Sequence, residues 1–164
     1  KHSNANQVVC LAPTQSKLDV LNGYGVDTIL MDRKDPEIHK KAVFERFPYG
    51  VDAIVDATGS ASVLPDCFQL LKKQGRLLQF SSTKDDENIT INPAYFYRNE
   101  LQYYTSYCQV HEFGRAVDAI ASGKVRLDKL VTRLYTLEQF PQAIEDVLDH
   151  SVLKLVIRPN GMED

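Results

Sequence analysis

Close pairs of cysteine or histidine are missing from this chain, and with them the spacings that build metal clusters. Cys10, Cys67 and Cys108 stand far apart and odd in number, no C-x-x-C occurs, and His2, His39, His111 and His150 are equally scattered. Three isolated thiols read as buried residues of a reducing compartment, so a cytoplasmic location is expected. His39 and His150 sit among charged neighbours and read as solvated. No apolar run approaches the ~20 residues that cross a bilayer. The opening stretch, Lys1 to Gln7, has no apolar core of the kind a secretion signal needs. Charge of one sign is not in excess: 19 Lys and Arg face 22 Asp and Glu, a net charge of −3. Neither nucleic acid nor a membrane surface is therefore expected as a partner. A G-x-S-x-G elbow, an internal repeat and low-complexity stretches are also absent.

What remains is ordinary globular composition, 43% apolar and 25% charged in 164 residues, which suits one domain or one domain with part of a second. The first two thirds alternate between short apolar runs and helical patterns. Strands are predicted at 8–12, 27–31, 51–56 and 76–82, with helices at about 14–22, 35–47 and 61–72 between them. Asp35-Pro36 is a helix start, because the aspartate can accept from free N–H groups and proline suits the first turn. Buried-type strands alternating with helices imply a parallel sheet with helical cover on both faces. After Ser82 come a charged loop with the Asp85-Asp86-Glu87 run, an alternating segment Asn88-Ile89-Thr90-Ile91-Asn92, and a short helix from Pro93 to Asn99. Then follow a strand at 101–107, a helix at about 110–122, a strand at 131–135, a helix ending near Leu148 and a closing strand at 152–157.

Several of these segments, in order, resemble the medium-chain dehydrogenase/reductase superfamily, in particular its sorbitol- and arabinitol-dehydrogenase-like members. The segments are Val51-Asp-Ala-Ile-Val-Asp-Ala-Thr-Gly59; Leu70-Leu-Lys-Lys-Gln-Gly75-Arg-Leu-Leu-Gln-Phe80; Ile91-Asn-Pro93 with Tyr97-Arg-Asn-Glu100-Leu and Thr105-Ser-Tyr107; and Leu137-Glu-Gln-Phe-Pro-Gln-Ala143-Ile with Leu153-Lys-Leu-Val-Ile157. The resemblance implies an α/β fold: a Rossmann-type doubly wound parallel sheet over residues 1–107 that lacks its first strand, then C-terminal elements of the GroES-like catalytic domain over 108–164. The family's Gly-x-Gly-x-x-Gly turn, whose N–H groups meet the pyrophosphate, is not found, nor are its zinc-binding positions. The expectation is a piece of a longer protein, inactive by itself, with strands left unpaired where the first strand belongs.

The same resemblance implies an oxidoreductase moving a hydride between NADP(H) and a sugar alcohol or other secondary alcohol, with zinc on the missing domain. A zinc-free quinone-reductase-like member, a non-catalytic nucleotide-binding relative and a methyltransferase-like sheet are the alternatives. NAD-preferring members carry an acid where this chain has Ala12. With that charge gone, Thr14 and Lys17 are placed to meet a phosphate, which favours NADP over NAD; the competing view makes Thr14 a helix cap and Lys17 a surface residue. Ala57, Thr58 and Gly59 would lie beside the cofactor. Phe80, Ser81 and Ser82 would line the nicotinamide pocket, with Ser106 and Tyr107 near the carboxamide and Lys154 near the pyrophosphate. Ser81 and Thr105 stand where glycine is common. No catalytic acid, base or metal ligand is assigned within the chain. Asn88 to Asn92 reads as an edge strand that pairs with a second copy, giving a homodimer or tetramer.

Overall fold

The computed structural model describes residues 5–32, 34–107, 111–127, 129–149 and 151–161. They form two compact units, Lys1–Leu30 with His111–Asp164, and Met31–Val110. All strand pairing is parallel. Cys108 and His150 lie outside the described residues.

In the Met31–Val110 unit, helix α2 (Pro36–Arg46) leads to strand β3 (Val51–Asp56). A 3-10 turn (Ala61–Val63) and helix α3 (Leu64–Leu70) carry the chain to β4 (Leu71–Gln79), and α4 (Pro93–Asn99) precedes β5 (Gln102–Thr105). The strands pair in the order β3-β4-β5. The starts of α2 and α4 follow from their caps. Asp35 accepts from the Glu37 N–H at 3.1 Å, and Asn92 accepts from Ala94 and Tyr95 at 3.0 and 3.2 Å, each followed by proline in the first turn.

Register decides which face is buried. Ile54, Leu77 and Tyr103 sit level across the three strands, and Leu77 is completely excluded from solvent. Leu64, Cys67, Phe68 and Leu71 pack on this row, with Phe96 of α4 and Phe68 of α3 meeting edge to face at 4.7 Å. The neighbouring row, Val55, Leu78 and Tyr104, points to the opposite face, where Val55 is 62% exposed.

Several expectations need correction. His39 is buried, not solvated. It lies with Lys40 and Val43 on the covered face of α2, and Lys40 reaches Asp66 at 3.0 Å and Gln69 at 3.1 Å. Residues 88–92 form no strand; Ile89 turns inward against the core cluster, which leaves no free ladder edge. Cys67 is buried and its thiol is pushed up to about 12 by burial and by Asp56 and Asp66, whereas Cys10 is only half-buried.

The second unit holds β1 (Val9–Ala12), a short α1 (Gln15–Asp19) and β2 (Asp27–Leu30), followed by α5 (Phe113–Ala121), β6 (Val131–Thr136), α6 (Phe140–Asp146) and β7 (Lys154–Arg158). Its strands make two separate pairs, β1-β2 and β6-β7. The predicted helix at 14–22 stops at Asp19 and continues as turns to Gly25, whose φ of 68° suits glycine. Among the described residues neither β1 nor β3 has a partner on its second edge.

Around β6, Arg133 binds Asp146 at 2.7 Å and Asp149 at 2.6 Å, and the Tyr135 hydroxyl also donates to Asp146. Tyr135 and then Arg133 hold the Asp146 carboxyl below its usual range. Ser151, with Arg133 contributing less, does the same for Asp149.

Two predictions follow from these contacts. A Cβ on Gly50 would lie 2.6 Å from the Lys72 nitrogen and 2.7 Å from the Leu70 carbonyl, at φ +85°. Gly50→Ala should therefore lose about 3 kcal/mol in urea unfolding. Carboxyls with depressed values stabilise the fold above the ordinary carboxylate range and lose that contribution as pH falls through the depressed values. Amides of β6 and β7 should thus lose exchange protection as pH falls below the ordinary carboxylate range. Asp146→Asn should flatten that dependence, and an unchanged profile would refute the assignment.

Candidate functional site

Because β3, β4 and β5 are parallel, their carboxyl ends fall on one side. Asp56 is level with Gln79, and Gln79 with Thr105. The stretches after them, Ala57–Gly59, Phe80–Ser82 and Ser106–Tyr107, therefore leave from adjacent strand ends, the edge at which ligands bind in open α/β sheets. The ladder continues into them: Phe80 N–H donates to the Asp56 carbonyl at 2.8 Å, and Ser106 N–H to the Gln79 carbonyl at 3.1 Å.

A lattice of side chains shapes this ledge. Asp56 is 3% exposed, and its Oδ1 accepts from the Thr58 N–H at 3.1 Å and the Thr58 hydroxyl at 2.7 Å. Its Oδ2 has no hydrogen-bond partner among the described residues. Thr58 Oγ1 in turn accepts from the Ser60 N–H at 3.3 Å. The Gly59 N–H crosses to Ser81 Oγ at 2.7 Å, joining the loops after β3 and β4. Gly59 has φ +71°, and a Cβ there would stand 3.1 Å from the Ser82 carbonyl, so glycine is what lets the two loops come this close. Gln79 Nε2 donates to the Ser81 carbonyl at 3.2 Å, and the Tyr103 hydroxyl donates to Gln79 Oε1. Glu87 Oε2 closes the end by accepting from the Ala61 N–H at 3.3 Å.

Eight of the sequence-derived candidates are thus brought together: Ala57, Thr58, Gly59, Phe80, Ser81, Ser82, Ser106 and Tyr107. Phe80 is exposed, which removes it from the core, and Tyr107 projects almost wholly into solvent. Ala12, Thr14, Lys17 and Lys154 belong to the other unit. Ala12 ends β1, and Thr14 precedes α1 without using its hydroxyl as a cap. Lys17 has no ion-pair partner among the described residues. Lys154 begins β7, on a different sheet from Ala12. Asp56, Gln79, Tyr103 and Glu87 were not singled out from the sequence. The signal for Asp56 is its spacing to Thr58, an aspartate two residues before a threonine at a strand end, which is a local turn motif.

Comparison with known proteins places this geometry. A family model described as zinc-binding dehydrogenase matches residues 1–122. The chain belongs to the zinc-binding dehydrogenase family. It is therefore a member of the medium-chain dehydrogenase/reductase superfamily. D-arabinitol dehydrogenase 1 of Uromyces fabae is 30% identical over 162 residues, 98% of this chain and 46% of that protein. Sorbitol dehydrogenase of Bacillus subtilis is 27% identical over 113 residues, 68% of this chain and 32% of that protein. The chain thus spans less than half the length of these two relatives. Among solved structures, a putative zinc-binding dehydrogenase from Clostridium scindens superposes with a TM-score of 0.86 at 19% identity, over 98% of this chain and 45% of that one. One from Sinorhizobium meliloti, bound to NADP, gives 0.83 at 20% identity, over 94% of this chain and 46% of that one. The zinc-binding dehydrogenase fold accounts for the parallel strands and their order.

Zinc does not fit the side chains at hand. Among the described residues no group of three His, Cys, Asp or Glu converges on a metal-sized space, so no step is routed through a metal here. At the ledge, Gly59 lets the loops after β3 and β4 pack closely, and the three loop starts align along one strand edge.

Thr58→Val would strip the hydroxyl donor from a buried carboxylate whose Oδ2 has no partner among the described residues. Its expected cost is about 2 kcal/mol in denaturant unfolding. A loss near zero would mean that Asp56 is hydrated in solution and that the loop does not depend on it.

Proposed function

We propose that this chain is part of an oxidoreductase that transfers a hydride between NADP(H) and a sugar alcohol or other secondary alcohol. The observation that carries this reading is the strand-end ledge in a zinc-binding dehydrogenase chain whose polyol-dehydrogenase relatives align along most of its length. The nicotinamide supplies the hydride chemistry when bound. The residues of this chain position it: Ala57 to Gly59 and Phe80 to Ser82 form the surface beneath the ring, and Ser106 and Tyr107 flank it. Residues 1–107 act as the nucleotide-binding part and 108–164 as the part that returns to the catalytic domain, with Lys154 near the pyrophosphate. In the dinucleotide order 3-2-1-4-5-6, removal of the first strand leaves two blocks. The chain spans less than half of its polyol-dehydrogenase relatives, and we assign it to a longer protein whose remainder would carry the first strand. Zinc, where used, belongs to that remainder.

The preference for the phosphorylated cofactor rests on Ala12, Thr14 and Lys17. No acid ends β1 to repel a phosphate, the Thr14 hydroxyl is not spent on a cap, and Lys17 keeps its charge unpaired among the described residues. We further place the protein in the cytoplasm as a homodimer or tetramer. Titration of the full-length protein with NADPH and NADH should show NADPH tighter by on the order of ten-fold. Lys17→Ala should erase most of that ratio. Tighter binding of NADH would overturn the assignment of Ala12 and Lys17, and binding of neither would overturn the dehydrogenase reading.

A further inference from the structure

Four consecutive amides at the strand-end ledge are already committed to side chains. Thr58 N–H goes to Asp56, Gly59 N–H to Ser81, Ser60 N–H to Thr58 and Ala61 N–H to Glu87. A phosphate needs free N–H groups converging on it, and a loop whose amides are all donated cannot form such a nest. Two of those four acceptors are carboxylates, Asp56 buried beneath the loop and Glu87 at its end, so the local charge also opposes an anion.

The acceptors differ in what they have left. Thr58 donates its own hydrogen to Asp56 and accepts from Ser60, which uses its hydroxyl in both senses. Ser82 donates to the Thr83 carbonyl. The Ser81 hydroxyl accepts from the Gly59 N–H and donates to no group among the described residues, while the Ser81 N–H donates to the Asp56 carbonyl at 3.3 Å. A hydroxyl that has accepted one hydrogen bond still carries its O–H as a donor. Ser81 is half-buried, its carbonyl is held by Gln79, and its oxygen is fixed by the Gly59 amide, so that hydrogen is presented from a rigid support.

We infer that Ser81 is the ligand-selecting residue of this edge: its hydroxyl donates to an uncharged acceptor oxygen, of the amide or ribose type, on the nicotinamide half of the cofactor, while the spent amides around it exclude phosphate. This rests on the nicotinamide-nucleotide reading above. Ser81 touches the cofactor directly, whereas Asp56 and Thr58 act through it by holding Gly59 in place.

The test compares two ligands, NADPH and ADP, the latter carrying the phosphates without the nicotinamide half. Dissociation constants are measured for the full-length protein and for Ser81→Ala, with Ser81→Cys as a second variant that keeps the volume and replaces the strong donor by a weak one. The expected result is about ten-fold weaker NADPH binding in both variants with ADP affinity unchanged. A role confined to tying two loops together would shift both ligands alike. Equal losses for NADPH and ADP overturn the inference, as does unaltered NADPH binding. In either case wild-type binding of NADPH leaves the function reading intact. If the wild-type protein binds no NADPH, that reading fails and the inference falls with it. Should Ser81→Ala not fold, Ser81→Cys alone decides between these outcomes.

Discussion

Leu77 lies wholly out of solvent between Ile54 and Tyr103, and the placement of the ledge follows from that one row. Side chains alternate along a strand, so a slip of one residue would send Leu77 to the face where Val55 and Tyr104 now lie and would expose the surface that Phe68 and Leu64 cover. Burying a leucine is worth roughly 2 kcal/mol, and the edge-to-face contact of Phe68 with Tyr103 at 5.4 Å adds to the preference. Since all three strands run the same way, the register that buries Leu77 also brings Asp56, Gln79 and Thr105 level. The ledge is thus a consequence of packing several residues away from it.

Packing alone does not shape the loops that leave those strand ends. Loops have no ladder, and their polar groups need partners of another kind. Here side chains provide them in two runs: Asp56 with Thr58 and Thr58 with Ser60, then Gly59 with Ser81, Ser81 with Gln79 and Gln79 with Tyr103. The last member, Tyr103, belongs to the same buried row as Leu77, so the polar lattice and the apolar core share a residue. Cys67 lies under the same layer, packed in the core cluster, where burial pushes its thiol up to about 12.

Local signals in the sequence were sufficient wherever a boundary is set locally. The cap at Asp35 with Pro36, and Pro93 in a first turn, locate α2 and α4, and the apolar run from Val51 to Asp56 is β3 as expected. Boundaries set by distant contacts were not legible. Strand β4 begins at Leu71 because Val51 pairs with it, and that pairing depends on the absence of a side chain at Gly50. His39 has charged neighbours in sequence, yet helical spacing puts it on the face of Val43, so composition misjudged it. Residues 88–92 alternate as a strand should, but alternation specifies a face and not a partner, and Ile89 found the core instead. At the site, the family resemblance reached Thr58, Gly59 and Ser81. Asp56 went unnoticed because an acid at a strand end looks like a solvated terminus until Thr58 folds back on it.

The stretches assigned to the nucleotide differ in kind. At the ledge the amides from Thr58 to Ala61 are spent and carboxylates stand behind them, so what that loop offers is shape and the Ser81 hydroxyl beside it. At the end of β1 the reverse holds: Ala12 brings no negative charge, and Thr14 and Lys17 keep a free hydroxyl and an unpaired ammonium among the described residues. A dinucleotide is itself divided in this way, with its charge on the phosphates and its reactive ring uncharged when reduced. A surface that recognises the ring gains nothing from free amides, which would attract water and anions to the place where a hydride must move. On the proposed nucleotide reading, closing them off with Asp56, Thr58, Ser81 and Glu87 would keep that edge for the ring and leave charge recognition to other residues.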